Sequence, residues 1–312
     1  MHSLADDGLP RPFLKWAGGK TQLLSQFQPL FPPPNEMSRY IEPFVGSGAV
    51  FFRLRKLLHL DKVILADSNQ DLMNVYGAIR DDVERVIAKL GEHERSHCKA
   101  HYYKIRAQNP KRLSPINRAA RLIYLNRTCF NGLYRVNSKG GFNVPMGRYV
   151  APRILDPENL RAASDALRGT QLKRGHFTDT LRYARAGDFI YFDPPYYPLS
   201  KTSHFTSYTE GSFTASDQVD LAQTCAVLDE RGCRIMLSNS DCAFIRGLYE
   251  SRRFDIRKVS ARRSINSRSD RRGMVSELVV INYEPPPPPR MLHDRADDLQ
   301  RRGRRSITSS PA

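Results

Sequence analysis

Residues 188–198 read Asp-Phe-Ile-Tyr-Phe-Asp-Pro-Pro-Tyr-Tyr-Pro, and this stretch decides the fold. The apolar run before Asp193 predicts a buried strand. Because proline has a fixed φ and no backbone N–H, the strand has to end at the Asp-Pro-Pro-Tyr tetrad. Ligands of open α/β sheets bind at the carboxyl ends of strands. The tetrad is therefore expected to line a ligand site.

The tetrad also carries the groups that an amine on a nucleobase needs. Such an amine is a poor nucleophile because its lone pair is conjugated with the ring. The Asp193 carboxylate and the Pro194 carbonyl can accept its hydrogens, which localises the lone pair and stabilises the positive charge of the attacking nitrogen. The Tyr196 ring can stack on a base that has left the duplex. The alternative is a proline-terminated strand whose aspartate is only a cap.

Composition favours a polyanionic partner. The chain has 312 residues, 40% of them hydrophobic, and its 49 Lys and Arg exceed its 32 Asp and Glu for a formal net charge of +17. That balance is typical of proteins that bind nucleic acid. The five cysteines show no metal-ligand spacing, so no metal site and a reducing compartment are expected. Without a leader-like region or a long apolar run, the chain is expected in the cytoplasm, on the nucleoid.

Upstream, residues 39–58 predict the opening of a Rossmann-like sheet. A strand over 39–44 runs into the pattern Phe44-x-Gly46-x-Gly48 and then a helix over 50–58. The third glycine of the dinucleotide fingerprint is missing. The next apolar strand, residues 62–67, ends in an acid at the distance where a carboxylate binds the ribose hydroxyls of a cofactor. That acid is Asp67.

Two local alternatives accompany these motifs. Asp67 could instead cap a helix predicted over 70–79, although Asn69 can do that as well. Near the N-terminus, Trp16-Ala-Gly-Gly-Lys20-Thr21 resembles a phosphate loop, but the spacing of such a loop is absent. Thr21 is expected to cap a helix over 22–27.

Residues 80–169 interrupt the strand–helix alternation. Helices are predicted over 82–97, 102–108 and 117–125, followed by a basic, aromatic, glycine-rich stretch over 125–149. Turn signals at Asn131-Gly132 and Lys139-Gly-Gly predict a β-hairpin with strands over 133–137 and 142–144. Arginines, asparagines and aromatics interleaved on a hairpin suit contacts with base edges and phosphates. A solvated basic hairpin is the alternative.

The alternation then resumes. Strands are predicted over 171–179, 234–238, 254–264 and 277–283, and helices over 215–230 and 243–249. Asp179 either contacts a cofactor or caps a helix. The polar segment 198–213 is predicted to be a loop over the site, and the basic loop 260–273 suits phosphate contact.

The predicted fold class is α/β, a Rossmann-like sheet with an inserted, mostly helical recognition domain that contains a β-hairpin. Residues 12–79 and 170–283 form the catalytic domain in this prediction, and residues 80–169 the recognition domain. Residues 284–312 are predicted to be a disordered, proline-rich basic tail.

The motifs and their order resemble the Dam-type (D12 class) site-specific DNA adenine-N6 methyltransferases. They run Phe-Leu-Lys-Trp-Ala-Gly-Gly-Lys, Glu-Pro-Phe-Val-Gly-Ser-Gly, Ala-Asp-Ser-Asn, Asn-Arg-x-x-Phe-Asn-Gly-Leu-x-Arg, Asn-Val-Pro-x-Gly-Arg-Tyr and Asp-Pro-Pro-Tyr, followed by Arg-Arg-Ser-Ile and a later Glu-Leu. The resemblance spans roughly residues 12–283 and implies methyl transfer from S-adenosylmethionine to adenine N6 in duplex DNA, at GATC, after base flipping.

The resemblance also assigns residues. The tetrad Asp193, Pro194, Pro195 and Tyr196 would hold the flipped adenine. The cofactor would be bound by Trp16, Lys20, Phe44, Gly46, Gly48, Asp67 and Asp193. The DNA interface would comprise Lys15, Phe130, Asn131, Leu133, Arg135, Pro145 and Arg148, with Lys15 and Arg135 on guanines. Phe130 is a departure, because the family often has tyrosine there, and so is the basic tail.

Other functions fit parts of the pattern. The tetrad serves amino groups in general, so cytosine N4 or an RNA adenine are alternative targets. A non-catalytic DNA-binding protein on the same fold, or a phosphotransferase with a phosphate loop, would explain less of it. A monomer is expected, with a restriction endonuclease that acts on the same site as a candidate partner.

Overall fold

The computed structural model describes residues 10–57, 60, 62–198, 213–252, 254–262 and 274–287. Within them lies one seven-stranded sheet. Its strands are β1 (Tyr40–Glu42), β2 (Val63–Asp67), β3 (Gln171–Arg174), β4 (Phe189–Phe192), β5 (Arg234–Ser240), β6 (Asp255–Arg262) and β7 (Met274–Ile281). They lie in the order β3-β2-β1-β4-β5-β7-β6, parallel except for β7, which runs antiparallel to both of its neighbours.

Helices cover both faces of this sheet. They are α1 (Leu24–Phe27), α2 (Ala49–Leu57), α3 (Gln70–Arg95), α4 (Lys99–Ala107), α5 (Pro115–Thr128), α6 (Pro157–Leu167), α7 (Thr180–Tyr183), α8 (Ala215–Glu230) and α9 (Ala243–Glu250). The central strand β4 shows why two layers are needed. Phe189 and Tyr191 pack into one apolar cluster, and Ile190 and Phe192 into the cluster on the opposite face. A strand buried on both faces is typical of parallel sheets. The predicted α/β, Rossmann-like fold is confirmed.

The insertion is helical, as predicted. Its first element, α3, consists of two helices that meet at a kink at Asp82, where φ is −154° and ψ is 57°. The two helices predicted over 70–79 and 82–97 meet at the same place. α6 was not predicted, although the chain carries its start signal. Asp156 caps it by accepting a hydrogen bond from the Asn159 N–H, and Pro157 occupies the first turn.

Two local predictions are wrong, and that of the hairpin is confirmed only in part. Thr21 caps no helix, because residues 20–22 form a 3₁₀ turn with no side-chain cap. The hairpin strands reduce to single bridges, Cys129 with Met146 and Val136 with Phe142. The strand predicted over 171–179 ends at Arg174, and Asp179 belongs to the 3₁₀ turn that follows.

Other predictions fall on residues outside the described ranges. They concern most of the loop 198–213, most of the basic loop 260–273 and nearly all of the tail 284–312. Among the helices that the structure describes, none has the length and apolarity needed to cross a membrane.

Candidate active site

The candidate site is a pocket of about 710 Å³ at the carboxyl ends of the parallel strands. It opens where the chain leaves β1, β2 and β4, and β1 lies between the other two. This is the switch point of the sheet, where successive connections diverge to opposite faces and leave a crevice. Members of the tetrad and of the predicted cofactor set line it together: Trp16, Lys20, Phe44, Gly46, Asp67, Asp193, Pro194, Pro195 and Tyr196.

Asp193 follows β4 directly and sits at the bottom of the pocket. Its Oδ1 lies 2.7 Å from Nζ of Lys20 and accepts a hydrogen bond of 3.0 Å from the Ser238 hydroxyl. That hydroxyl also lies 2.9 Å from the hydroxyl of Tyr191. Burial raises the pKa of Asp193, whereas Lys20 and Ser238 lower it. The carboxylate is therefore an anion held in place by two donors on the same oxygen.

Lys20 is the charge that balances this carboxylate. Its side chain is only 5% exposed. Besides Asp193, its ammonium donates to the Gly18 carbonyl at 2.6 Å and lies 4.4 Å from the centre of the Tyr196 ring. A buried ammonium needs such partners, because burying an unpaired charge is very costly. Lys20 thus connects the N-terminal loop to the tetrad.

A buried polar network fixes the backbone after Asp193. Gln218 on α8 donates to the Pro195 carbonyl at 3.0 Å, and the Asn239 side chain donates to Gln218 at 2.9 Å. Asn239 in turn accepts from the Tyr197 N–H at 3.3 Å. Among the described residues, no donor reaches the carbonyl of Pro194. That carbonyl is left free at the pocket wall.

Tyr196 is oriented through its hydroxyl. The hydroxyl donates to Oε2 of Glu277 on β7 at 2.5 Å. Burial raises the pKa of Tyr196 well above its ordinary value, and the negative charges of Asp193 and Glu277 add to the effect. The phenol therefore stays protonated at neutral pH, and its ring is held as a fixed flat surface.

At the other end of the pocket lies Asp67, and the structure decides whether it caps the helix that follows. Its Oδ2 accepts from the Gly46 N–H at 3.2 Å and its Oδ1 from the Asn69 N–H at 2.9 Å. Asn69, not Asp67, caps α3, because its side chain accepts from two N–H groups of the first turn. Asp67 lines the pocket, and burial raises its pKa against the pull of these backbone donors.

The two predicted glycines have different surroundings. Gly46 has a φ of +46° and lines the pocket, where an added Cβ would come within 3.0 Å of Cδ1 of Trp16. Gly48 has a φ of +71° and faces the interior, where a Cβ would lie 2.6 Å from the Tyr76 hydroxyl. Only glycine takes up these left-handed conformations at little cost. Gly46 leaves room for the Trp16 ring beside the pocket, whereas Gly48 leaves room for the Tyr76 hydroxyl.

Several pocket residues were not singled out from the sequence. Glu42 ends β1, is 2% exposed and accepts from the Tyr40 hydroxyl at 2.7 Å. Burial raises its pKa well above the ordinary value. Phe177 stacks on Phe44, with ring centres 5.6 Å apart. The signal for Glu42 was its place directly after a buried strand, whereas Ser238 and Glu277 become neighbours of the tetrad only through strand pairing.

Asp179 does not cap the helix that follows it, because its side chain makes no capping hydrogen bond to α7. Its carboxylate accepts from the His176 N–H at 3.0 Å and pairs with Arg182 at 3.2 Å. Asp179 is not among the residues that line the pocket. It closes a capping box at the turn that ends this wall of the site.

Comparisons with known proteins agree with this geometry. The family model of the D12 class N6 adenine-specific DNA methyltransferases matches residues 16–265. Type II methyltransferase M.MjaIII of Methanocaldococcus jannaschii is 45% identical over an alignment of 288 residues that covers 88% of this chain and 99% of that protein. The DNA adenine methylases of Vibrio cholerae and Escherichia coli are 37% and 36% identical over 274 and 278 residues. Those matches cover 87% and 88% of this chain, and 95% and 96% of the relatives.

The chain belongs to the D12 class of N6 adenine-specific DNA methyltransferases. Its substrate is DNA and its reaction uses a methyl donor. The segment that the sequence predicts to contact DNA belongs to the insertion of this methyltransferase.

The predicted DNA-binding residues lie close to one another in the methyltransferase. Gly132 packs on Lys15, so that an added Cβ would lie 2.6 Å from Cδ of that lysine. The Phe130 N–H donates to the Pro145 carbonyl at 2.9 Å. Phe130 is 49% exposed and Leu133 is 39% exposed. Both apolar side chains lie on a basic surface, and none of the described residues buries them.

The remaining predicted DNA contacts sit at the rim of the same segment. Asn131 has a φ of +54°, the left-handed conformation that asparagine tolerates better than most residues. Nε of Arg135 donates to the Asn143 side chain at 2.7 Å, which holds the arginine across the bridged loop. Arg148 is exposed. The ammonium of Lys15 lies 4.7 Å from the centre of the Tyr149 ring.

Proposed function

We propose that this methyltransferase uses S-adenosylmethionine as its donor and methylates N6 of an adenine that it flips out of duplex DNA, within GATC, by direct in-line attack. The observation that carries the proposal is the setting of Asp193. A half-buried carboxylate, a proline carbonyl without a donor among the described residues, and a fixed tyrosine ring converge at one end of a pocket. A second half-buried carboxylate lies at the other end.

The donor end fits an adenosine-containing cofactor. A pocket of about 710 Å³ is within the usual size range for such ligands. Trp16, Phe44 and the backbone at Gly46 would bind the donor, while Gly48 supports the turn from behind. Each oxygen of Asp67 accepts one backbone N–H, and a carboxylate has further lone pairs for ribose hydroxyls. When bound, S-adenosylmethionine supplies a methyl group attached to a positively charged sulfur.

The target end fits an exocyclic amine. Oδ1 of Asp193 is taken by Lys20 and Ser238, whereas Oδ2 has no partner among the described residues. Oδ2 and the Pro194 carbonyl can accept the two amine hydrogens. Burial raises the pKa of Asp193, and Lys20 opposes this effect and so favours the ionised carboxylate. Both acceptors therefore favour the positive charge that develops on N6, a preorganised electrostatic effect.

Tyr196 serves as the surface on which the flipped base stacks. Extrusion of a base costs a few kcal/mol, and stacking on an aromatic ring offsets part of this cost. Because Glu277 fixes the hydroxyl, the ring loses little further freedom when the base arrives. Pro195, held by Gln218, keeps the turn between the acceptors and this ring rigid.

Recognition is assigned to the exposed segment around Phe130. Lys15 and Arg135 are proposed to bind guanines, since basic side chains on guanine O6 and N7 are the most frequent specific contacts. Asn131, Leu133, Pro145 and Arg148 would line the remaining interface, and Phe130 would stack or intercalate. The GATC target and the domain limits at residues 79 and 170 are part of this proposal and rest on the family resemblance.

The setting in the cell follows from the substrate. We place the methyltransferase on the nucleoid, in the cytoplasm, and propose that it acts as a monomer. Because M.MjaIII is named a type II methyltransferase, a restriction endonuclease of the same specificity is the partner we propose.

One experiment tests the reaction and the target together. Labelled methyl is followed from S-adenosylmethionine to a duplex with a single GATC and to a matched duplex with GTTC instead. We expect label only on the first duplex, recovered as N6-methyladenine. Label on both duplexes would contradict the recognition proposal. DNA binding without any label would contradict the choice of donor or the catalytic role of the tetrad.

A further inference from the structure

Tyr134 connects the recognition segment to the methyl-donor pocket. It lies in the chain between Leu133 and Arg135, two proposed DNA contacts. Its side chain nevertheless points towards the pocket, where the ring stacks on Trp16 with centres 5.1 Å apart and planes at 29°. Trp16 lines the pocket and touches the glycine loop at Gly46. One aromatic pair thus joins the donor wall to the DNA-facing segment.

The hydroxyl of Tyr134 makes a second connection. It donates to Oδ2 of Asp71 at 3.2 Å. Asp71 lies in the first turn of α3, close to the pocket carboxylate Asp67, and its other oxygen pairs with Arg118 on α5. Burial raises the pKa of Tyr134 to about 12, and Asp71 adds to this shift. The hydroxyl therefore remains a donor at neutral pH.

The two backbone segments that carry this pair are also bonded to each other. The side chain of Asn126, fully buried on α5, accepts from the Lys15 N–H at 2.8 Å and donates to the Lys15 carbonyl at 2.7 Å. It also donates to the Gly132 carbonyl at 2.9 Å. Displacement of either segment has to disturb the other.

We infer that Tyr134 is a positioning residue that couples donor binding to DNA binding. A donor that packs on Trp16 also orders the Trp16–Tyr134 pair and, through it, Leu133 and Arg135. DNA bound to those two residues orders the same pair from the other side. The second ligand then meets contacts that are already ordered, which yields positive cooperativity. This inference rests on the proposed donor and on the proposed DNA face.

The coupling can be measured without turnover. Trp16 is the only tryptophan of the chain, so its fluorescence reports directly on this contact. The donor is titrated into the full-length protein with and without a GATC duplex whose target adenines are replaced by purine, which has no amine to methylate. The ratio of the two dissociation constants is the coupling factor. Anisotropy of a labelled duplex, with and without donor, must return the same factor, because coupling between two ligands is reciprocal.

Three variants locate the effect. Tyr134→Phe keeps the stacked ring and loses the bond to Asp71, whereas Tyr134→Leu loses both. Tyr103→Leu is the matched control, since this tyrosine lies in the same insertion and packs on Tyr102 and Arg106 instead. We expect a coupling factor of about tenfold in the wild type and in the control, within the usual range for coupled sites. The coupling factor should fall to about threefold in Tyr134→Phe and approach one in Tyr134→Leu.

The opposing outcomes are distinct. If Tyr134 only packs, Tyr134→Leu will weaken one or both ligands alone and leave the coupling factor unchanged, which overturns the inference. A wild-type factor of one overturns it as well. If Tyr134→Leu fails to fold, Tyr134→Phe decides the question. A reduced coupling factor in Tyr134→Phe supports the role of the hydroxyl, and an unchanged factor decides against it. Lack of any donor binding by the wild type would instead refute the proposed donor, and the inference with it.

Discussion

Replacement of Gly48 by alanine tests how the glycine loop is built. Gly48 has a φ of +71°, and an added Cβ would lie 2.6 Å from the Tyr76 hydroxyl and 3.2 Å from Cε2 of Phe52. Tyr76 is fully buried and donates to the Gly46 carbonyl at 3.0 Å, so its hydroxyl cannot swing away without losing that bond. The new methyl group therefore meets both backbone strain and crowding.

The magnitude follows from these two terms. The left-handed conformation costs alanine about 1–2 kcal/mol. Forcing a methyl group into a packed interior costs about 1–3 kcal/mol more. We therefore expect Gly48→Ala to lower the free energy of unfolding by about 2–5 kcal/mol. Gly140→Ala is a matched control, because its φ is +75° and no atom lies within 4 Å of the added Cβ. It should show the strain alone.

The assay is urea denaturation of five proteins. The wild type, Gly48→Ala, Tyr76→Phe and the double variant form a double-mutant cycle, and Gly140→Ala is the control. Removal of the hydroxyl costs about 0.5–1.5 kcal/mol by itself. In the double variant it also removes the atom that the new methyl group meets. The double variant should thus be more stable than the sum of the two single changes predicts. Equal costs for Gly48→Ala and Gly140→Ala, or strict additivity in the cycle, would refute this account of the loop.

Three further predictions concern the site. Glu277→Ala removes the acceptor of the Tyr196 hydroxyl and should raise KM for DNA roughly tenfold, with a matching loss of 2-aminopurine fluorescence from the flipped base. Glu277→Gln keeps an oxygen acceptor and should retain most of the DNA affinity and of the fluorescence. Equal effects of Glu277→Ala and Glu277→Gln would oppose the role of this bond. Because burial raises the pKa of Asp193 above its ordinary 3.8, and the ionised form is the acceptor, kcat should fall as the pH drops through that raised value. Ser238→Ala removes a donor that lowers this pKa, so the acid limb of the kcat profile should move to higher pH; an unmoved limb would argue against Asp193 as the titrating group. Arg135→Ala should reduce the preference for the target guanine over other bases by about 1–3 kcal/mol in competition binding, whereas a uniform loss on all sequences would mark Arg135 as a phosphate contact.

The sequence predicted best where local chemistry decides the structure. Two prolines after Asp193 have to end a buried strand, and β4 ends there. Asn69 was a possible cap from its type and position, and it is the cap of α3. The order of such signals also predicted the α/β class and the position of the tetrad at the carboxyl end of a strand, where the pocket lies.

The sequence predicted least where distant strands or side chains meet. Glu277 reaches Tyr196 because β7 inserts between β5 and β6, and no local pattern announces that pairing. The predicted hairpin forms only in part. Arg135 and Asn143 pair through their backbones, and Val136 and Phe142 form a single bridge. At the turn, Asn137 bonds the backbone N–H groups of Lys139 and Gly141 through its own side chain, which limits the ladder to this short stretch.

The central claim is that Asp193 activates the target amine. The most direct test compares methyl transfer to a GATC duplex by the wild type and by Asp193→Asn, a substitution of nearly the same shape that removes the negative charge. Thermal unfolding and donor titration through Trp16 fluorescence confirm that the variant is folded and loaded. We predict a loss of about 10²–10³ in kcat, the usual cost of removing one preorganised electrostatic group. Turnover close to that of the wild type, in a folded variant that binds donor and DNA, would contradict the account.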